Sequence, residues 1–168
     1  MKKILCAVLL ILLIFTGCSN KESKIQPLSA EFSENVKIRH KSVDFEAQLE
    51  HSGSQTKIIY SQPKALGGLT FIKEGESCTA LLSGMSVDIK ENLLTDNSAI
   101  FLIDKVLECL FSETAQLEMR EQDNTVIISG SVENERFEAV RYKDTPKLIS
   151  LSIPSQELTV SFEQTKKE

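Results

Sequence analysis

The chain has a two-residue hydrophobic period over most of its length. From Val43 to Glu50, apolar side chains occupy every second position, and the positions between them carry Asp, Glu or Gln. Because a β-strand places successive side chains on opposite faces, this alternation predicts strands with one buried and one solvated face. The predicted strands cover residues 36–39, 42–51, 56–60, 69–73, 78–82, 85–89, 116–121, 125–132, 136–142, 147–153 and 158–163.

One segment has a helical period instead. Starting at Ile100, apolar residues recur at i, i+3, i+7, i+10 and i+11, and Asp96 or Asn97 is in position to cap the first turn. The pattern predicts a helix over residues 98–112, with Asp104 among its remaining, polar positions. Further apolar residues widen the hydrophobic stripe, so we expect this helix to lie deep against a sheet.

The connections between the predicted strands are two to five residues almost throughout, which is too short for a parallel crossover. About ten antiparallel strands and one apolar helix therefore predict a mainly β (α+β) fold. We expect a strongly curved antiparallel sheet, an open β-barrel, wrapped around the helix. The space between sheet and helix can be a packed core or a cavity for an apolar molecule, and the composition does not distinguish these two.

The beginning of the chain has the pattern of an export signal. Two lysines precede twelve apolar residues at 4–15, a run shorter than the roughly 20 residues that a membrane-spanning helix needs. The run ends in Phe15-Thr16-Gly17-Cys18. This ending resembles the lipobox of bacterial lipoproteins, in which small residues precede the cysteine that becomes lipidated.

The lipobox resemblance implies cleavage between Gly17 and Cys18 and a thioether bond from Cys18 to diacylglycerol. The protein would then be held at the cell membrane, on its extracytoplasmic face, because two acyl chains give stable attachment. The alternatives are an uncleaved anchor and an ordinary secretory signal in which Cys18 has no role. The expected organisation is a signal peptide at 1–17, a lipidated cysteine and polar tether at 18–31, one domain at 32–164 and a frayed tail at 165–168.

Composition and charge narrow the expected partners. The 168-residue chain has a formal net charge of −5, and removal of residues 1–17, which hold two lysines and no acid, changes it to −7. Such an acidic domain is poorly suited to nucleic acid, whose phosphates require a basic surface. The lipid on Cys18, rather than a basic patch, is expected to provide membrane attachment.

The remaining cysteines and histidines give no metal-binding pattern. Cys78 and Cys109 stay in the mature domain, where export permits a disulfide between them and two buried thiols are the alternative. There is no Cys-x-x-Cys motif, and His40 and His51 lack the spacing of paired ligands. No metal and no cofactor are expected.

No arrangement of residues predicts catalysis. His40 and His51 are not near a nucleophile-elbow motif, and Ser52-Gly53-Ser54 beside His51 is typical of a hairpin turn. Paired carboxylates such as Asp44 and Glu46 fall where the strand alternation requires solvated residues. We therefore expect a protein that is not an enzyme.

The order of elements resembles the lipoprotein localisation factor superfamily, LolA-like and LolB-like. The resemblance covers residues 32–164. It depends on paired strands, on the residues Tyr60…Pro63…Gly67-Gly68 at the end of a predicted strand, and on a strand-helix-strand unit followed by a meander. More closely, the chain is similar to small lipoproteins of low-GC Gram-positive bacteria. The resemblance implies an open β-barrel with a helical lid and a space suited to acyl chains.

Two functions follow from these patterns. The first is a tethered protein that binds an apolar ligand, such as a lipid or acyl chain, between sheet and helix. The second is an interaction module with a filled core that contacts another envelope protein. Met85 and Met119 could line an adaptable pocket, although Met more often fills gaps in a core. The candidate lining residues, taken from faces expected to be dry, are Phe45, Leu49, Tyr60, Phe71, Leu107, Phe111, Val160 and Phe162.

Overall fold

The computed structural model describes residues 27–89 and 98–163. The predicted signal peptide, Cys18, most of the tether and the predicted tail lie outside these residues, as do the predicted capping residues Asp96 and Asn97. The described strands are β1 (Phe32–His40), β2 (Val43–Ser52), β3 (Gln55–Gln62), β4 (Thr70–Glu74), β5 (Ser77–Leu82), β6 (Met85–Ile89), β7 (Glu118–Gln122), β8 (Thr125–Val132), β9 (Glu135–Tyr142), β10 (Leu148–Ile153) and β11 (Leu158–Phe162).

All eleven strands form one antiparallel sheet in the order β6-β5-β4-β3-β2-β1-β11-β10-β9-β8-β7. Two meanders, β1 to β6 and β7 to β11, are joined where the first strand pairs with the last, with Val36 opposite Phe162. The sheet is strongly curved and is not closed, so β6 and β7 are its edges. This confirms the predicted fold class.

Most neighbouring strands are connected by two-residue hairpin turns. Such turns require positive φ angles, because only then does the turn match the right-handed twist of the two strands. Lys41 and Ser42 between β1 and β2 have φ values of 48° and 67°, and Ser83 and Gly84 between β5 and β6 have 51° and 82°. Short turns fix the strand register and therefore which side chains share a face.

The single described α-helix, α1 (Ala99–Phe111), packs on the inner face of this sheet. It contacts β3 and β4 in one half and β8 in the other, and so bridges the two meanders. The predicted helix at 98–112 is confirmed to within one residue at each end. Ser98 precedes its first turn, and the Ser98 side chain makes no capping hydrogen bond.

The helix is buried more completely than its sequence pattern indicates. Nine of its thirteen residues are buried, and they include Asp104, which we expected on a polar side. Asp104 is buried because the curved sheet contacts the helix over more than its apolar stripe and because a buried cation in β4, Lys73, pairs with it. The helix is therefore a central element of the core.

Candidate functional site

The eight predicted lining residues lie in three separate places. Leu49, Leu107 and Val160 lie in the core between the sheet and α1, each with 0% of its surface exposed. A side chain that bordered a void large enough for water would have accessible surface on that side. These three positions are therefore packed on all sides by protein atoms, and whether they ever contact a ligand stays a prediction.

A second group forms a row of aromatic rings across three adjacent strands. The rings of Phe45 in β2 and Tyr60 in β3 meet edge to face with centroids 5.5 Å apart, and Tyr60 meets Phe71 in β4 in the same way at 6.1 Å. Phe45 and Phe71 are half-buried, whereas Tyr60 is buried, and its burial raises the pKa of the Tyr60 hydroxyl to about 12. We refer to Phe45, Tyr60 and Phe71 as the aromatic row.

The inner face continues beyond the aromatic row to the edge of the sheet. Phe71 is opposite Ala80 in β5, and Ala80 is opposite Val87 in β6. Residues directly opposite each other in an antiparallel pair point to the same face. Val87 therefore belongs to the face that packs on the helix, although its own side chain is exposed.

Three apolar side chains at this end of the inner face are exposed. They are Leu82, Met85 and Val87, with 38%, 65% and 59% of their surfaces accessible. We refer to them as the β6-end patch. The candidate residues drawn from the sequence omit Leu82 and Val87, although the alternation of Met85, Val87 and Ile89 with Ser86 and Asp88 already assigns their face.

The two edges of the sheet differ in protection. β7 carries three charged residues among its five, Glu118, Arg120 and Glu121, and one exposed apolar residue, Met119. β6 carries a single charge, Asp88. Charged side chains on an edge strand discourage pairing with another chain. Of the two edges in the described part of the chain, β6 is therefore the better suited to contact a partner.

The third group is an aromatic cluster at the C-terminal end of α1. The Phe111 ring stacks on His51 with centroids 5.2 Å apart, and Phe32 contacts both His51 and Phe162, at 5.8 and 5.9 Å. This cluster fixes the C-terminal end of α1 to β1, β2 and β11. The predicted residues Phe111 and Phe162 therefore belong to a different cluster, and their rings do not contact the rings of the aromatic row.

A buried polar network connects α1 with β3 and β4. The Asp104 carboxylate lies 3.6 Å from the Lys73 ammonium, and Lys73 also donates a hydrogen bond to the Gly75 carbonyl. The Lys73 nitrogen lies 5.1 Å from the centroid of the Phe101 ring. His51 Nδ1 lies 3.0 Å from the Thr56 hydroxyl, which extends the network to β2. The helix is thus held by polar as well as apolar contacts.

Burial shifts the protonation equilibria of this network. Desolvation raises the pKa of Asp104, and the Thr56 hydroxyl and the Lys73 ammonium act in the opposite direction. Burial lowers the pKa of His51, with a smaller opposing effect of Glu108. Both shifts favour the neutral form of the group, as expected for side chains taken out of water.

Other features give no evidence of a reactive centre. Cys78 is buried and Cys109 is half-buried, both are free thiols, and burial raises the pKa of each. A thiol with a raised pKa is a poor nucleophile at neutral pH. Within residues 27–89 and 98–163 no group of three metal-binding side chains occurs. In the same residues, no helix is long and apolar enough to span a bilayer.

This chain is similar to known proteins in its fold but not in its sequence. No family model matches the chain, and no curated protein is similar in sequence. Among solved structures, a chain of the complex between the CwlD amidase and the GerS lipoprotein of Clostridioides difficile matches with a TM-score of 0.51 and 12% identity, covering 83% of this chain and 88% of that chain. At this identity the similarity concerns the fold alone.

Two weaker structural similarities are also found. An uncharacterized conserved protein from Thermus thermophilus matches with a TM-score of 0.47 and 9% identity over 82% of both chains. A LolA superfamily protein from Nitrosomonas europaea matches with a TM-score of 0.43 and 13% identity, over 87% of this chain and 76% of that chain.

The buried ion pair gives a first prediction. Lys73→Met should lower the free energy of unfolding by about 3–5 kcal/mol, because it leaves the Asp104 carboxylate buried without its cation. Adding Asp104→Leu should recover most of that loss. The control is Arg39→Met, which removes an exposed ion pair with Asp44 and should leave stability close to wild type. Urea denaturation measures all three, and equal stability of Lys73→Met and wild type would show that the pair is not buried.

His51 gives a pH prediction. Because the folded state favours neutral His51, the contribution of His51 to the free energy of unfolding is fully present above the ordinary histidine pKa of about 6.5. This contribution is lost as the pH falls through the pKa that His51 has in the folded protein, which burial lowers. His51→Gln, which cannot take up this proton, should therefore show a stability deficit that shrinks between pH 7.5 and 5. His40 is present in both proteins and cancels in the difference. A deficit that stays constant or grows on acidification would contradict the assignment.

Proposed function

We propose that the chain is a non-enzymatic, lipid-anchored protein of the cell envelope that contacts another envelope protein through the β6-end patch. The observation that carries this proposal is the contrast between a filled interior and an exposed apolar end of the same face. Of the two functions expected from the sequence, a filled core with an exposed apolar surface favours the interaction module.

The energetics of the helix support this choice. Seven large apolar side chains of α1 are buried. At about 1.5–3 kcal/mol each, their exposure would cost on the order of 10–20 kcal/mol. This is comparable with the whole stability of a typical domain, about 5–15 kcal/mol. A lipid between sheet and helix would have to replace all of this burial, so the ligand hypothesis has less support than the partner hypothesis.

The geometry of β6 suits the addition of a partner strand. An extended segment that pairs with the free edge of β6 would place alternate side chains beside Met85 and Val87, and the others beside Asp88. Main-chain hydrogen bonds would give affinity, and the exposed apolar side chains would give register. The aromatic row begins two strands away, in β4, on the same face, and would extend the apolar surface next to the contact.

The anchor and the comparisons fit this role. The lipobox ending at Cys18 would hold the domain at the membrane surface, where other envelope proteins are confined. One structural neighbour is a chain of a complex between an amidase and a lipoprotein, which is an assembly of the kind proposed for this chain. That similarity is one of fold, so it suggests the type of partner contact and does not name the partner.

Photocrosslinking in living cells tests the partner surface. Benzoylphenylalanine in place of Val87, in the full-length lipidated protein, should form a discrete protein adduct that mass spectrometry can identify. Adding Leu82→Lys should weaken the adduct, because it places a charge in the β6-end patch. The matched control position is Met119, which has a similar exposure of 62% on the other edge strand.

The outcomes separate the two functions. A protein adduct at position 87 that is absent at position 119 supports the proposal. A lipid adduct at position 87 would support the apolar-ligand hypothesis instead. Identical adducts at both positions, or none at position 87, would exclude β6 as the specific contact surface.

The anchor has its own test. Cys18→Ala should abolish metabolic labelling of the protein with a fatty acid, because the alanine side chain has no thiol for the thioether bond. Cys6→Ala is the matched control, since Cys6 lies in the segment expected to be removed, and it should leave labelling unchanged. Persistent labelling of Cys18→Ala would overturn the assignment of the lipidated residue.

A further inference from the structure

A groove of about 730 Å³ lies where the ends of β1, β9, β10 and β11 meet the segment that precedes the domain. Its volume falls in the range of small-ligand sites, about 300–1,000 Å³. The apolar part of its lining consists of Phe32, Tyr142, Pro146, Leu148 and Phe162. The rings of Phe32 and Phe162 pack edge to face at 71°; Phe162 is buried, and the half-buried Phe32 is the more accessible of the two rings.

The polar part of the lining is acidic. Glu31, Glu34 and Glu163 contribute three carboxylates, and Lys147 contributes the one cation among the lining residues. Lys147 lies 2.6 Å from Glu34 and so neutralises that carboxylate. Glu163 has only a long contact of 3.7 Å with the exposed Lys37. Glu31 forms no ion pair with any residue in the described part of the chain. The groove therefore combines aromatic surfaces with an excess of negative charge.

We propose that this groove binds a peptide segment of a protein partner in which an arginine stands beside an apolar residue. Aromatic rings attract a cation to their faces, and a guanidinium stacks on such rings better than an ammonium does. The carboxylates of Glu31 and Glu163 provide the complementary charge. The same carboxylates disfavour a fatty acid or an anionic phospholipid, whose negative group would lie beside them.

This site is independent of the β6-end patch, because the two surfaces lie in different parts of the sheet and share no residue. The groove can bind its peptide whether or not β6 contacts a partner. Its position next to residues 29–34, at the beginning of the domain, would place the peptide near the tether and so near the membrane surface.

Binding of two tripeptides tests the proposal. The full-length protein is held in phosphatidylcholine nanodiscs, empty nanodiscs serve as the blank, and surface plasmon resonance measures the affinity. Acetyl-Leu-Arg-Phe-amide should bind about tenfold tighter than acetyl-Leu-Glu-Phe-amide at low salt, because like charges at a contact are strongly unfavourable. The difference should shrink at high salt, since exposed charges are screened.

Variants locate the binding to the groove. Glu31→Gln and Glu163→Gln should each weaken the arginine peptide about two- to fivefold, which is the effect of one exposed charge pair. Phe32→Leu should weaken it by a similar factor of about two to five, through loss of an aromatic face. Glu76→Gln, in the turn between β4 and β5, is the matched control and should have no effect.

Three results would overturn the proposal. The first is equal affinity for the two tripeptides. The second is an arginine peptide that binds normally to both glutamate variants. The third is octanoate that binds more tightly than the arginine peptide, which would identify the groove as a site for an acyl ligand.

Discussion

Every other feature of this protein depends on how the inner face of an open, curved sheet is covered. Eleven strands with alternating side chains produce one apolar face, and that face must be removed from water. A closed barrel would enclose it, but here β6 and β7 remain apart. The chain between these two edges supplies α1, which contacts strands of both halves. Where the helix lies, the face is filled, and Cys78 in β5 is still buried; Leu82, Met85 and Val87, at the end of β5 and in β6, are exposed.

The buried ion pair fixes where the helix lies. Apolar contacts alone tolerate small translations of a helix, whereas the Asp104 carboxylate has its cation at one position, Lys73 in β4. Moving the helix by one turn would leave both charges buried and unpaired, at a cost of several kcal/mol. The ion pair near its middle and the His51–Phe111 stack at its C-terminal end thus hold α1 at two points. The location of the exposed patch follows from this fixed position.

Much of the fold could be predicted from local pattern. Alternation identified the strands, and a change of period identified the helix, because each reflects which side chains face the core. The pattern could not show that Asp104 is buried, since its partner Lys73 is 31 positions away in the sequence and the pairing is a tertiary contact. His51 shares the parity of Ala47 and Leu49, so alternation does place it on the inner face. The sequence pattern assigns Leu82, Met85 and Val87 to the apolar face of the sheet. Their exposure follows from the position of the helix, which the sequence pattern does not show.

The most direct test of this account is hydrogen exchange of the α1 amides in the native full-length protein. If the helix is a permanent part of the core, the amides of residues 103–107 exchange only when the whole domain unfolds, and their protection equals the global free energy of unfolding. Exchange of these amides through a separate opening of lower free energy, while the amides of β1 and β11 remain protected, would show that the helix is a lid and would contradict the account.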